Sequence, residues 1–315
     1  MVNQTLHTRQ LILERFYREK GRTVSGVQLS EEIGISRVAV WKHIQALKKE
    51  GFEIESSPRG YFLADPENLL LPACFDPPLS ERIHYFPQAT TTMDKARELA
   101  RQGAPHLSCV VTEHQTRGRG RLNRRWESDP GGLWFTLILT PDISPALAYL
   151  YNFTASLSLS LTLQALFNLD VRVKWPNDLL LEGKKLAGLL SEIETRADMI
   201  RYLLVGIGIN VNNDPSSNEF EAVSIRRALG CPVSRKEILT QFMEQFTDRI
   251  EDLDADGIMA EWKQRTSTIG TRVRVETLHQ IIEGLAIDVD EAGTLWVKDP
   301  DNQIHKIIYG DCFHC

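Results

Sequence analysis

Near the start of the chain, apolar positions recur at helical spacing. Across 6–20, Leu6, Ile12, Leu13, Phe16 and Tyr17 fall roughly on one side, and Gly21 closes the run. In the stretch "SGVQLSEEIGISRVAVWKHIQALKKEGF", Ser25 can cap a short helix that carries Val27, Leu29 and Ile33 inward, and Gly34 breaks it. Ser36 can cap a second helix running to about Glu50, with Gly51 as its stop. At about 100° per residue, Val40, Ile44 and Leu47 share a narrow sector. Arg37, Val38, Trp41, Lys42 and Gln45 occupy another. A tight turn between two helices, the second with a cationic exposed face, is the pattern of a helix-turn-helix. The run "FEIESSPRGYFL" adds a hairpin with Pro58 and Gly60 in its turn and Arg59 at its tip. The whole is a winged helix-turn-helix, with Ser36, Arg37, Val38, Trp41, Lys42, Gln45 and Arg59 expected at DNA. The competing reading is a helical oligomerisation module with a solvated face. Trp41 has two readings, a DNA backbone contact or an aromatic wedged against the wing.

The stretch "ADPENLLLPACFDPPL" has four prolines and little periodicity, and reads as a linker. Beyond it, strand-like and helical runs are mixed. "RIHYF", "SCVVTEHQ", "LWFTLILTP", "VRVKWP" and "RYLLVGIGINV" read as strands; "TTTMDKARELARQG", 146–168 and 235–265 read as helical. Several strands follow one another with short gaps, which predicts an α+β fold with a mixed sheet. From 268 to 315 the chain alternates, predicting a small all-β, barrel-like domain. The expected domains are 1–66 winged helix-turn-helix, 67–79 linker, 80–267 catalytic core and 268–315 C-terminal barrel.

The 315 residues suffice for two or three such units. No apolar run approaches the ~20 residues that span a bilayer, and the N-terminus lacks the pattern of a signal peptide. A cytoplasmic location is expected, with no membrane partner. Five scattered cysteines suit no closed disulfide framework. Cys312 and Cys315 have no second pair of ligands in the sequence, and a frayed tail with free thiols is expected there. Net charge is −6, yet residues 1–66 carry 10 Lys+Arg against 8 Asp+Glu. The first segment is therefore the candidate for meeting a polyanion.

The stretch that calls for chemistry is "TRGRGRLNRRW", 116–126. Five arginines lie between Arg117 and Arg125, with Gly118 and Gly120 between the first three. Glycine lets the backbone approach a ligand closely, and the arginine fork matches carboxylate and phosphate. With "TTTMD" (90–94), "GRGRLNRRW" (118–126), "KWPNDLLLEGKKLAGLL" (174–190) and "GIGIN" (206–210) in this order, the chain resembles the bacterial biotin–protein ligases. More narrowly, it resembles the bifunctional members that also repress the biotin biosynthetic operon. The resemblance covers nearly the whole chain. It implies a class II synthetase-like core and an SH3-like C-terminal β-barrel.

The resemblance implies two steps, formation of biotinyl-5′-AMP from biotin and ATP with Mg²⁺, then transfer to a lysine of a biotin carrier domain. It puts Thr91, Thr92, Met93, Gln115, Gly118, Arg119, Gly120, Arg121, Lys185, Gly188 and Gly206 at biotin, with Met93 where many relatives have Asn. It puts Arg119, Arg121, Trp126, Asn177, Lys185 and Asn210 at the nucleotide, the two asparagines serving phosphates or a magnesium ion. Arg121, Asp178 and Lys185 are the implied catalytic residues, Asp178 orienting the incoming amine or accepting its proton. Gly208 leaves room for close approach, and Asn123 stands where the family commonly has glycine. The resemblance also implies an adenylate-bound homodimer on operator DNA. The alternatives are a monofunctional ligase without DNA binding, a lipoate–protein ligase, and a non-enzymatic biotin-sensing regulator.

Overall fold

The computed structural model describes residues 2–215 and 221–315, without the side chains of residues 2–6 and 123. Leu6, expected on the apolar side of the first helix, therefore lies outside the described side chains. The first unit comprises α1 (Val2–Arg18), α2 (Gly26–Ile33), α3 (Arg37–Lys49) and the antiparallel pair β1 (Ile54–Ser57) and β2 (Gly60–Leu63). Ser25 and Gln28 form a reciprocal capping box on α2, and Gly34 ends it in the left-handed conformation. Ser36 caps α3 through the Ala39 amide. Ile12, Leu13, Phe16, Leu29, Val40, Ile44 and Leu47 make the core of this unit. Val27, expected inward, is exposed. Positions 27 and 29 stand about 200° apart on a helix, so both cannot face one core.

The proline-rich segment is not a free tether. It forms 3-10 turns at Pro66–Asn68 and Pro72–Cys74, and Leu69, Leu70, Leu71, Cys74 and Phe75 are buried. Its prolines set local turns while its leucines, which show no periodicity, pack on both neighbouring units. The Tyr17 hydroxyl donates to the Cys74 carbonyl at 3.3 Å, and Arg235 reaches the Asn68 carbonyl at 3.1 Å.

The core then runs α4 (Leu79–Arg82), β3 (Ile83–Ala89), α5 (Thr92–Arg101), β4 (Ser108–Gln115), β5 (Leu133–Leu139) and α6 (Tyr149–Phe167). It continues with β6 (Val171–Lys174), β7 (Asp178–Leu181), β8 (Lys184–Arg196), β9 (Met199–Ile209), α7 (Ile225–Leu229), α8 (Arg235–Glu251) and α9 (Ala255–Arg265). Its seven strands are ordered β3-β4-β5-β9-β8-β7-β6. β3 and β4 are parallel and every other pair is antiparallel, so the sheet is mixed as expected. β5 is buried at every position because both of its faces are covered. α5 packs Met93 and Ala96 with Val110, Ile138 and Leu204, and α6 and α8 bring Phe153, Leu157, Phe242 and Phe246 to the larger core.

The C-terminal unit is an antiparallel sheet of β10 (Arg272–Glu276), β11 (Ile281–Val289), β12 (Leu295–Lys298), β13 (Ile304–Ile307) and β14 (Asp311–His314), ordered β13-β12-β11-β10-β14. The expected frayed tail is instead its last strand. Cys312 pairs in register with Val275 and is buried, while Cys315 is exposed. A three-residue separation puts the two thiols on opposite faces of a strand, which keeps them apart. The Trp175 indole donates to the Gly293 carbonyl at 2.9 Å and joins this unit to the core.

Candidate active site

Thr91 caps α5 by accepting from the Asp94 amide at 2.9 Å. That cap fixes the turn at which Thr92 and Met93 meet β4, β5 and β9. The Thr92 amide and hydroxyl both donate to Gln115 Oε1, at 2.7 and 3.2 Å. Gln115 Nε2 donates to Ser128 Oγ at 2.7 Å, and the Thr136 hydroxyl donates to that of Thr92 at 2.8 Å. A buried polar chain thus closes the base of the arginine-glycine loop. Thr136 and Ser128 were not singled out from sequence; Thr136 was detectable as the polar residue within "LWFTLIL".

Across the sheet, Gly206 faces Met93. An added Cβ there would stand 2.7 Å from Met93 Sδ. Gly188 and Gly208 are register partners on β8 and β9. Together they leave a trough that the Trp126 indole fills, and a Cβ on Gly208 would come within 2.6 Å of Trp126 Nε1. The indole N–H is buried without a hydrogen-bond partner. An orphaned donor of this kind calls for an explanation, and a ligand acceptor is one. Lys185 Nζ lies 5.2 Å from the indole centre and 2.9 Å from Asp178 Oδ1.

The loop is a tight hairpin, with the Trp126 amide donating to the Gly118 carbonyl at 2.9 Å and the Gly120 amide to Arg124 at 2.8 Å. Leu122 adopts the left-handed conformation at its tip, with φ of 53°. The side chain of Asn123 lies outside the described residues. The two arginines expected to act together point apart. Arg119 pairs with Asp94 at 3.1 Å and Glu192 at 3.2 Å. Arg121 donates to the Gly310 carbonyl at 2.9 Å and lies 3.8 Å from Asp311, which Arg124 also pairs at 2.8 Å. Burial pushes the Arg121 pKa down, opposed by Asp311 and Asp178.

Asn177 and Asn210 are held by structure. Asn177 Nδ2 donates to the Leu189 carbonyl, and Asn210 Oδ1 accepts from Asn213 Nδ2 at 3.0 Å. Lys174 stands opposite Asp178 in the β6–β7 ladder. Burial lowers its pKa, against the pull of Asp178. β14 borders this corner with Cys312, pushed up to about 12 by burial, and His314, pushed down to about 4 by burial and by Lys174. Asp311 and Lys174 went unassigned from sequence. Asp311 lies too far along the chain for spacing to suggest it. Among the described residues no group of three or more His, Cys, Asp or Glu could hold a metal ion.

On the winged unit, Ser36, Arg37, Val38, Trp41, Lys42 and Arg59 are exposed and Gln45 is half-buried. Trp41 is 53 % exposed, so it stands on the open face rather than wedged beneath the wing. Among the described residues no helix is long and apolar enough to cross a membrane.

The biotin/lipoate A/B protein ligase family matches residues 85–212, a helix-turn-helix domain family matches 8–62, and the biotin protein ligase C-terminal domain family matches 268–315. The bifunctional ligase/repressor BirA of Bacillus subtilis is 33% identical over 317 residues, 96% of this chain and 97% of that protein. The protein of the same description from Escherichia coli is 28% identical over 88% of this chain and 89% of its own. Among solved structures, the biotin protein ligase from Aquifex aeolicus in complex with biotin and ATP shares the fold. It has a TM-score of 0.63 at 24% identity and covers 75% of this chain and 99% of that one.

Proposed function

Since this chain belongs to the family of bifunctional ligase/repressor BirA proteins, we propose that it attaches biotin to a carrier-domain lysine through biotinyl-5′-AMP and represses transcription in the adenylate-bound form. The observation that carries the ligase reading is the Lys185–Asp178 pair packed against Trp126 over the Gly188/Gly208 trough.

In the first step a biotin carboxylate oxygen attacks the α-phosphorus of ATP. The bond from that phosphorus to the β-phosphate oxygen breaks, and pyrophosphate leaves. Bringing a carboxylate to a triphosphate needs cations, which Arg121 and Lys185 supply in a partly desolvated site. Arg119 joins them only after leaving Asp94 and Glu192. Thr91, Thr92 and Gln115 serve the polar ring of biotin. Gln115 Nε2 spends one hydrogen on Ser128, so its second is available to a ureido oxygen. Met93 and Gly206 flank the apolar part, Gly118 and Gly120 let the loop close, and Trp126 stacks with adenine.

In the second step the neutral carrier amine attacks the acyl carbon. The bond to the AMP oxygen breaks, AMP leaves, and the amine proton passes to Asp178. No covalent enzyme intermediate is needed; positioning and charge suffice. Mg²⁺ fits this site only as a companion of the ATP phosphates. Asp178, next to Asn177, is already paired with Lys185, and Mg²⁺ commonly arrives on phosphates with few protein ligands. Asn177 and Asn210 are the amides proposed to assist.

The repressor reading rests on the exposed α3 face and wing, presented twice by a homodimer to two operator half-sites. The winged unit also touches the ligand loop's exit, where Gly51 backs onto Pro130. Ligand-driven closure of that loop can thereby reach the DNA-facing unit. A cytoplasmic location follows from this function. The test is to incubate the protein with biotin and ATP and look for bound biotinyl-5′-AMP with matching pyrophosphate release. DNA binding with and without that adenylate tests the second half. Adenylate without any change in DNA affinity would remove the regulatory coupling and leave the ligase; no DNA binding in either state would leave a monofunctional ligase.

A further inference from the structure

The corner where β6, β7 and β14 meet the loop holds more cations than anions. Arg121, Arg124, Lys174 and Lys185 face two carboxylates, Asp178 and Asp311. Lys185 takes Asp178 at 2.9 Å and Arg124 takes Asp311 at 2.8 Å. Among the described residues Lys174 has no carboxylate within ion-pair distance, although it stands in register opposite Asp178. Asp178 and Asp311 pull on it only from beyond ion-pair distance, against burial and the nearby Lys185. Cys312 is a neutral thiol, and His314 is a neutral imidazole whose Nε2 lies 3.3 Å from Thr268 Oγ1. An ammonium held in a half-buried corner without a direct ion pair is unfavourable by itself, and is explained if an anion completes the site.

Strand order says which anion. Lys185 lies on β8, Asp178 on β7 and Lys174 on β6, the outermost strand. Lys185, paired with Asp178, is the cation placed above at the acyl and α-phosphate end. Lys174 stands two strands farther out. Resting on the ligase reading above, we propose that Lys174 is a catalytic residue of the first step, binding the β- and γ-phosphates of ATP. It takes up the negative charge that builds on pyrophosphate as its bond to the α-phosphorus breaks. The carrier amine never meets it, so the second step does not use it.

The experiment compares wild type with Lys174→Met and Lys174→Arg in the full chain. Three quantities are read: biotin affinity, single-turnover adenylate formation, and transfer of supplied biotinyl-5′-AMP to a carrier domain. Lys174→Met is expected to keep biotin affinity and transfer while adenylate formation falls roughly 100-fold. Pyrophosphate-driven reversal of bound adenylate to ATP should fall by the same factor, because both directions share one transition state. Lys174→Arg, which keeps the charge, is expected to recover much of both rates. Unchanged adenylate formation in Lys174→Met would overturn the proposal. So would slower transfer with normal adenylate formation, which would make Lys174 a base for the amine. Equal loss of biotin binding in both variants would make it structural. If wild type itself forms no adenylate, the ligase reading fails rather than this assignment.

Discussion

Asp178 Oδ1 lies 2.9 Å from Lys185 Nζ, and the same ammonium stands 5.2 Å from the centre of the Trp126 indole. In the proposed mechanism this one carboxylate positions the cation of the first step and receives a proton once that cation turns to the acyl phosphate. Asp178→Asn keeps the shape and removes both charge and basicity. Its transfer of supplied adenylate to carrier is expected to slow roughly 100-fold or more, with adenylate formation much less affected. Single-turnover measurements of the two half-reactions check this.

The glycine trough makes a second prediction. Gly208→Ala would put a methyl 2.6 Å from Trp126 Nε1, inside van der Waals contact with a rigid ring. The indole must move, and ATP affinity is expected to fall about tenfold or more for a loss of roughly 1.4 kcal/mol of stacking, with biotin binding nearly retained. Gly206→Ala meets the flexible end of Met93 instead, at 2.7 Å from Sδ, and should weaken biotin before ATP. Calorimetric titration with each ligand separates the two.

A third concerns the buried Arg235. Its guanidinium pairs with Glu113 at 2.6 Å and donates to Gly132 and Asn68 carbonyls at 3.1 Å each, so it joins α8, β4, the loop's exit and the proline-rich segment. Arg235→Met strands Glu113 as an unpaired charge in the interior. A loss of about 3–5 kcal/mol is expected, read as a lower midpoint in denaturant. Changing Glu113 to Gln as well should recover part of it.

His314 sets a pH dependence. Burial and Lys174 push its pKa down to about 4, against an ordinary value of 6.5. Above pH 6.5 both folded and unfolded chains hold it neutral, and it contributes no pH dependence. As pH falls toward 4 the unfolded chain takes up the proton and the folded chain does not, so stability declines across that window. The decline attributable to this residue is roughly 2–3 kcal/mol. Denaturation of His314→Gln at pH 7 and pH 5 should show a smaller loss between them than wild type.

Much of the molecule was legible because local chemistry and global fold agree. Ser25, Gly34 and Ser36 punctuate the winged unit in sequence and do so in space. The alternation in 268–315 matches the antiparallel C-terminal sheet. What was not legible depends on partners distant in the chain. Leu69 to Phe75 show no periodicity because they pack on two units at once. Asp311 meets the loop only because β14 returns to the edge of β10. Arg119 and Arg121 look equivalent in "GRGR", yet a hairpin sends them to Asp94 and to Gly310. Lys174 could be seen at a strand end, but its lack of an ion pair among the described residues could not.

The most direct test of the account is the mass of an apo biotin-carrier domain after incubation with this protein, biotin, ATP and Mg²⁺. The account predicts a gain of one biotin that disappears when ATP is omitted. No gain on a lysine-competent carrier would contradict it and leave a biotin-sensing regulator or an enzyme for another acid, with lipoate the next to supply.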